Sequence, residues 1–200
     1  MQSYRLMPTT DPLFEARNPR PPRPVVSGAL HVARLNAANF FSTIDSGQHA
    51  CGPAAKDNCR GADSAAEFER QLAKLTVTID AIDADIVGLV EIENNDDAAL
   101  RSLVAQLNAV SSNRYDYLAT GVIGDDAITT GFVFRTDTVE LHGPHATLDA
   151  SVDSRFDDSR NRPALAQSFK QSSNNAVVSV VVNHLKSKNS SCAQGGDPNI

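Results

Sequence analysis

The run Asp85-Ile86-Val87-Gly88-Leu89-Val90-Glu91 constrains this chain more than any other segment. Between its two acids nothing polar interrupts the apolar residues, so it predicts a short strand buried on both faces. Such a strand needs cover on each side, and the flanking sequence supplies helices. Upstream, Phe68, Leu72, Leu75, Ile79 and Ile82 recur at spacings of 4, 3, 4 and 3, one apolar helical stripe. Ser64-Ala65-Ala66-Glu67 in front of it has the form of a capping box, serine and glutamate satisfying orphan amides reciprocally. Downstream, Leu100, Leu103, Val104 and Leu107 make a second stripe. His31-Val32-Ala33-Arg34-Leu35-Asn36 alternates polar and apolar as a first strand. Further strands are expected at 115–119, 131–135, 164–169 and 177–184. Helices between early strands, then successive strands, specify a layered α/β (α+β) domain with a mixed sheet.

Residues 8–24 hold six of the ten prolines. Proline fixes φ and removes a backbone donor, so this stretch is an extended connector. Residues 1–29 therefore read as the tail of an upstream module plus a linker, and the domain starts near residue 30. Acidic residues number 24 against 18 basic ones, a formal charge of -6. That balance argues against a polybasic nucleic-acid binder, but not against an enzyme that meets phosphate through a bound cation. The longest apolar runs are far too short to span a membrane. Cys51 and Cys59 lie eight apart in a polar loop and either close a small disulfide ring or stay free thiols, while Cys192, in a second polar loop, is a free thiol or has its partner outside this sequence. No Cys-x-x-Cys or Cys/His cluster suggests zinc.

Chemistry is expected where buried strands abruptly turn polar. The run 85–91 continues into Ile92-Glu93-Asn94-Asn95-Asp96-Asp97. A carboxylate at the mouth of a buried strand costs desolvation unless it is paired, and a hard cation is one partner for Glu91. Glu91 and Glu93 share a face if the extended conformation continues. Asp96 and Asp97 suit the start of the following helix, where negative charge complements the dipole. A second such place follows Val177–Val182, where Asn183-His184-Leu185-Lys186 brings an amide, an imidazole and an ammonium together. Asn36 ends the first strand and needs partners if buried. Arg135 and Arg162 either clamp phosphate or form ordinary ion pairs.

Four segments in order resemble the endonuclease/exonuclease/phosphatase superfamily with the DNase I-like fold, most closely its bacterial extracellular nuclease branch. They are Val32-Ala33-Arg34-Leu35-Asn36-Ala37-Ala38-Asn39-Phe40-Phe41; Ala84 through Asn94; Gly131-Phe132-Val133-Phe134-Arg135; and Val181-Val182-Asn183-His184-Leu185-Lys186-Ser187-Lys188. The resemblance implies a four-layered α/β sandwich with mixed, largely antiparallel sheets, and Mg²⁺- or Mn²⁺-dependent phosphodiester hydrolysis. It implies that Glu91 is a metal ligand and that Asn36 lies beside metal and phosphate. It likewise implies that His184 contacts the phosphate with Asn183 supporting it, and that Arg135, Arg162 and Lys186 face the substrate. The implied substrate is nucleic acid, DNA above all, and the implied location is extracellular.

Family members also carry an Asp-x-Asn pair on a later strand and a final Asp-His pair, which this sequence lacks. Gly196-Asp197-Pro198-Asn199 imitates the first, but no apolar strand precedes it and only thirteen residues separate Asp197 from His184. Residues 30–200 are thus expected to be the N-terminal part of a catalytic domain, missing its C-terminal half and inactive and poorly soluble alone. Competing readings are a phosphomonoesterase or sphingomyelinase-like phosphoesterase on the same fold, and a non-catalytic binding domain.

Overall fold

In the computed structural model, which describes residues 7–13, 15, 17–19, 22 and 25–185, the alternating segment forms β1 (Val32–Phe40). Two short strands, β2 (His49–Cys51) and β3 (Asp57–Asn58), pair antiparallel ahead of helix α1 (Ala65–Ile82). The apolar run becomes β4 (Ile86–Glu93) and leads into α2 (Ala98–Val110). Then come β5 (Tyr115–Tyr117), β6 (Ile128–Arg135), β7 (Val139–Leu141) and β8 (Ala146–Leu148). The described strands end with β9 (Ala164–Gln171) and β10 (Val177–Val182).

One sheet has the order β1-β4-β6-β5, with β1 and β4 parallel and the other pairs antiparallel. A second has the order β10-β9-β7, all antiparallel, with β8 also on β9. Both helices cover one face of the first sheet: Leu75, Ile79, Leu103 and Leu107 pack with Val87, Leu89 and Val133. On its other face Ile86, Val90, Phe132 and Phe134 meet Leu165, Phe169 and Val182 of the second sheet. Helix, sheet and sheet are thus stacked as three layers, with β4 buried on both sides as its composition demands. Gly88 lets the sheets approach here, since a Cβ on it would stand 3.1 Å from a methyl of Val182. That contact sets the end of β10 over the first half of β4.

Several local expectations are corrected. Strand β10 is an edge strand in the described sheet and is buried on one face only, with Val177 and Val181 exposed on the other. The capping box is half formed: Ser64 makes no side-chain cap, and Glu67 takes the N–H of Asp63 instead. At α2, Asn95 Oδ1 accepts the Ala99 N–H, while Asp97 holds Thr120 N–H and Gly121 N–H of a neighbouring loop. Amide caps helix, and acid braces loop. Cys51 and Cys59 are joined as a disulfide with Cα atoms 5.1 Å apart, packed with Phe41, Ala127 and Ile128 in a small third core. Among the described residues no helix is long and apolar enough to cross a membrane.

Candidate active site

Between Asn36↔Val90 and Phe40↔Ile92 the ladder of β1 and β4 loses register, three residues of β1 standing against Glu91 alone. Ala38, Asn39 and Glu91 all adopt left-handed conformations, with φ of 55°, 56° and 64°. Each such non-glycine residue costs on the order of 1–3 kcal/mol, and persists only where its surroundings enforce it. Here they do. Asn36 Nδ2 donates to Glu91 Oε1 at 2.8 Å and the Asn39 N–H donates to Oε2 at 3.2 Å. The Ala38 N–H closes onto Asn36 Oδ1 at 2.7 Å. From α1, Gln71 Nε2 reaches the carbonyls of Ala38 and Asn39.

The bulge also separates the two glutamates. Val90 belongs to the core between the sheets, yet Ile92 belongs to the helix-side core with Leu89. Alternation has slipped by one residue, so Glu91 and Glu93 do not act on one face as the extended reading requires. Glu93 is buried and accepts from Ser42 N–H, Thr43 N–H, the Ser42 hydroxyl and Asn95 Nδ2. Its contact with Cys51 Sγ is van der Waals packing, because a disulfide sulfur carries no proton.

Opposite Glu91, past the end of β10, His184 places Nε2 3.7 Å from Glu91 Oε1. That is too long for a hydrogen bond, so the two groups are neighbours rather than a bonded pair. His184 Nδ1 is buried without a partner among the described residues. Burial lowers the His184 pKa, the Arg162 and Arg34 cations lower it too, and Glu91 and Asp126 oppose them without prevailing. The imidazole is therefore neutral at neutral pH. Among the described residues a proton on Nε2 is the arrangement that leaves no N–H orphaned at Nδ1.

A strand-end carboxylate, an amide and a neutral imidazole thus converge from β1, β4 and the end of β10. The chain's backbone aligns with the crystal structure of an endonuclease/exonuclease/phosphatase family protein from Bacteroides thetaiotaomicron. The TM-score is 0.51 at 17% identity, over 80% of this chain and 52% of that one. The fold is the endonuclease/exonuclease/phosphatase fold. This chain spans about half the length of that structure. The human Nocturnin catalytic domain with bound sulfate (15% identity, 62% and 45% covered, TM-score 0.41) and TDP2 from C. elegans (15%, 66% and 36%, 0.38) also align, too partially to say more. The sequence matches no family model and no curated protein.

On the endonuclease/exonuclease/phosphatase fold the remaining candidates separate. Arg162 lies beside the site: Nε and Nη2 donate to Asp126 Oδ2 at 3.1 and 2.8 Å, and its charge reaches His184. Arg135 does not. It ends β6, which runs antiparallel to β4, so it stands opposite Asp85 just before β4, roughly 20 Å of strand from Glu91. There it pairs with Asp83 and Asp137, an architectural ion pair. Asn183 is exposed, and among the described residues no hydrogen bond ties it to His184. Lys186 and Cys192 lie outside the described residues. Sequence reasoning missed Arg34, two residues before Asn36 on the same face of β1, and alternation alone would have flagged it. It also missed Gln71 and Asp126, for which no local signal exists.

The donor set suits a hard cation. Mg²⁺ keeps most of its waters and is anchored by one or two carboxylates plus substrate oxygens. Glu91 offers carboxylate oxygens at a polar strand mouth, with Asn36 holding their orientation. Among the described residues no group of three or more His, Cys, Asp or Glu side chains forms a closed metal cage.

The depressed His184 pKa has a measurable consequence. In chelator, an NMR titration of the imidazole is expected to find its midpoint below the ordinary 6.5. The folded state binds this proton less readily than the unfolded one. Its contribution to stability is therefore intact above about pH 6.5 and lost as pH falls through the folded midpoint. Glu91→Gln removes an opposing charge and should push the midpoint lower still. A midpoint at or above 6.5 contradicts the assignment.

Proposed function

We propose that this chain carries part of the active centre of a secreted, Mg²⁺- or Mn²⁺-dependent nuclease that hydrolyses nucleic-acid phosphodiesters, DNA foremost. The observation supporting it most is the left-handed bulge that holds Glu91, through Asn36 and Asn39, with one oxygen 3.7 Å from His184 Nε2. A divalent ion bound at Glu91 would polarise a phosphoryl oxygen and offset charge gathering on phosphorus. Neutral His184 donates its Nε2 proton to a second phosphate oxygen, a hydrogen bond that strengthens as that oxygen gains charge. Asn36 keeps the carboxylate from rotating away, and Arg162 adds positive potential beside the phosphate. The group that activates water is assigned to polypeptide beyond residue 185.

Incubation with plasmid DNA and with bis(p-nitrophenyl) phosphate tests this reading. Hydrolysis is expected to require Mg²⁺ or Mn²⁺, to stop in chelator and to return with added metal. The 200-residue chain by itself is expected to be inactive, and a longer polypeptide containing it active. Turnover undiminished by chelator, or none in that longer polypeptide with either metal, removes the proposal.

A further inference from the structure

Side chains grip the backbone of the bulge that carries Glu91. Asn36 Oδ1 accepts the Ala38 N–H, and Glu91 Oε2 accepts the Asn39 N–H. Gln71 Nε2 donates to the carbonyls of Ala38 at 3.4 Å and Asn39 at 3.3 Å. Asn36 and Glu91 sit on the bulged strands themselves, whereas Gln71 comes from α1. Asn39 is thereby held on both sides, its N–H by the carboxylate and its carbonyl by the helix. The helix is a firm anchor. Phe68, one turn before Gln71, stacks on Phe40 with ring centroids 5.8 Å apart, and Leu72 and Leu75 lie in one buried cluster with Phe40 and Ala37.

The other end of the same amide is poorly served. Gln71 Oε1 is buried with no hydrogen-bond partner among the described residues. An orphaned buried acceptor is destabilising, and an apolar side chain of the same length fills the space without one. Nor does turning the amide over relieve it, since Oε1 would then face two carbonyl oxygens. What glutamine offers at this position, and methionine does not, is a pair of N–H groups aimed at left-handed backbone. Ala38 and Asn39 stand at φ 55° and 56°, a conformation that persists only while its surroundings enforce it. Ala38 is exposed and Asn39 half-buried, so water can take over the carbonyls that Gln71 releases. Water satisfies them but does not fix them in place.

We infer that Gln71 is a positioning residue of the proposed metal site: acting through the Asn39 backbone, it keeps Glu91 oriented for a divalent cation while adding little to the stability of the fold. This deepens the nuclease reading and rests on its assignment of Glu91. Groups that orient a metal ligand are typically worth roughly 10–100-fold in affinity.

The test compares Gln71→Met with wild type in the longer polypeptide containing this chain. Mn²⁺ binding, followed by calorimetry, is expected to weaken by roughly tenfold or more. Hydrogen–deuterium exchange over residues 36–41, measured in chelator, should quicken at least several-fold. The melting temperature should move by less than about 3 °C. Gln71→Glu keeps the shape but puts oxygen where the N–H donors stood. It should weaken Mn²⁺ binding too, although its added negative charge by itself would draw a cation in. Glu69→Gln, on the exposed side of the same helix, serves as the control and should change none of these. Wild-type Mn²⁺ affinity and exchange in both Gln71 variants overturn the positioning role and leave the nuclease reading intact. A fall in melting temperature that accounts for the lost affinity, with exchange quickened along the whole chain, overturns it too and makes Gln71 part of the general scaffold. A wild-type protein that binds no Mn²⁺, while Gln71→Met still loosens residues 36–41, overturns the metal site at Glu91 and the positioning role with it.

Discussion

In the longer polypeptide that carries the activity, replacing Glu91 by glutamine is expected to cut metal-supported hydrolysis by roughly a thousandfold while leaving the fold intact. The magnitude is that of removing one preorganised electrostatic partner of the transition state. Glutamine preserves the volume and can keep one oxygen toward Asn36 Nδ2, but it removes the charge that would anchor a hard cation. Binding of Mn²⁺, followed by calorimetry, should weaken by roughly a hundredfold, using the 10–100-fold cost of losing a supporting group as the floor. Stability should move by less than about 1 kcal/mol, because the side chain is partly exposed and only two donors rest on it. Wild-type Mn²⁺ affinity in this variant would place the metal elsewhere and break the assignment of Glu91.

Glu93→Ala is expected to do the reverse, destabilising the fold by about 3–5 kcal/mol. Two residues along the same strand, this carboxylate is 2% exposed. One of its oxygens, Oε2, gathers Ser42 N–H at 2.8 Å, Thr43 N–H at 3.0 Å, the Ser42 hydroxyl at 3.2 Å and Asn95 Nδ2 at 2.7 Å. Alanine strands those donors in a dry interior beside the disulfide. For a chain of this size the melting temperature should drop by roughly 10 °C. Glu93→Gln retains an oxygen and should cost clearly less. Urea unfolding showing less than about 1 kcal/mol lost in Glu93→Ala would mean that the Ser42–Thr43 turn is held by other contacts. The pair of variants separates the two acids of one strand, the proposed metal ligand Glu91 and the structural Glu93.

The lines of apolar residues were easily legible. The stripe Phe68 to Ile82 and the run after Asp85 became α1 and β4, because burial of such faces dominates the energetics of any element that carries them. The polar ends of β1, β4 and β10 were legible for the same reason: an amide, a carboxylate and an imidazole next to core residues demand an explanation. Less visible were β2, β3, β7 and β8, each of two or three residues, too short for any period to register. Asp126 was invisible, since its role is to join Arg60 and Arg162, respectively 66 and 36 residues away.

Local chemistry alone determined that a buried strand would end in acid, that helices would cover it, and that Asn36, Glu91 and His184 each needed a partner. Only the tertiary structure decided which partners those were. The slip of register that turns Glu91 toward His184 and Glu93 toward Ser42 costs strained backbone at Ala38, Asn39 and Glu91. No nearby residue compels it. It is held by hydrogen bonds from groups more than fifty residues away and by Gln71 of α1, and Arg135 is carried to the far end by antiparallel pairing of the same strand. Side-chain periodicity is a property of neighbours, whereas register and orientation come from long-range pairing, and only the folded chain expresses that.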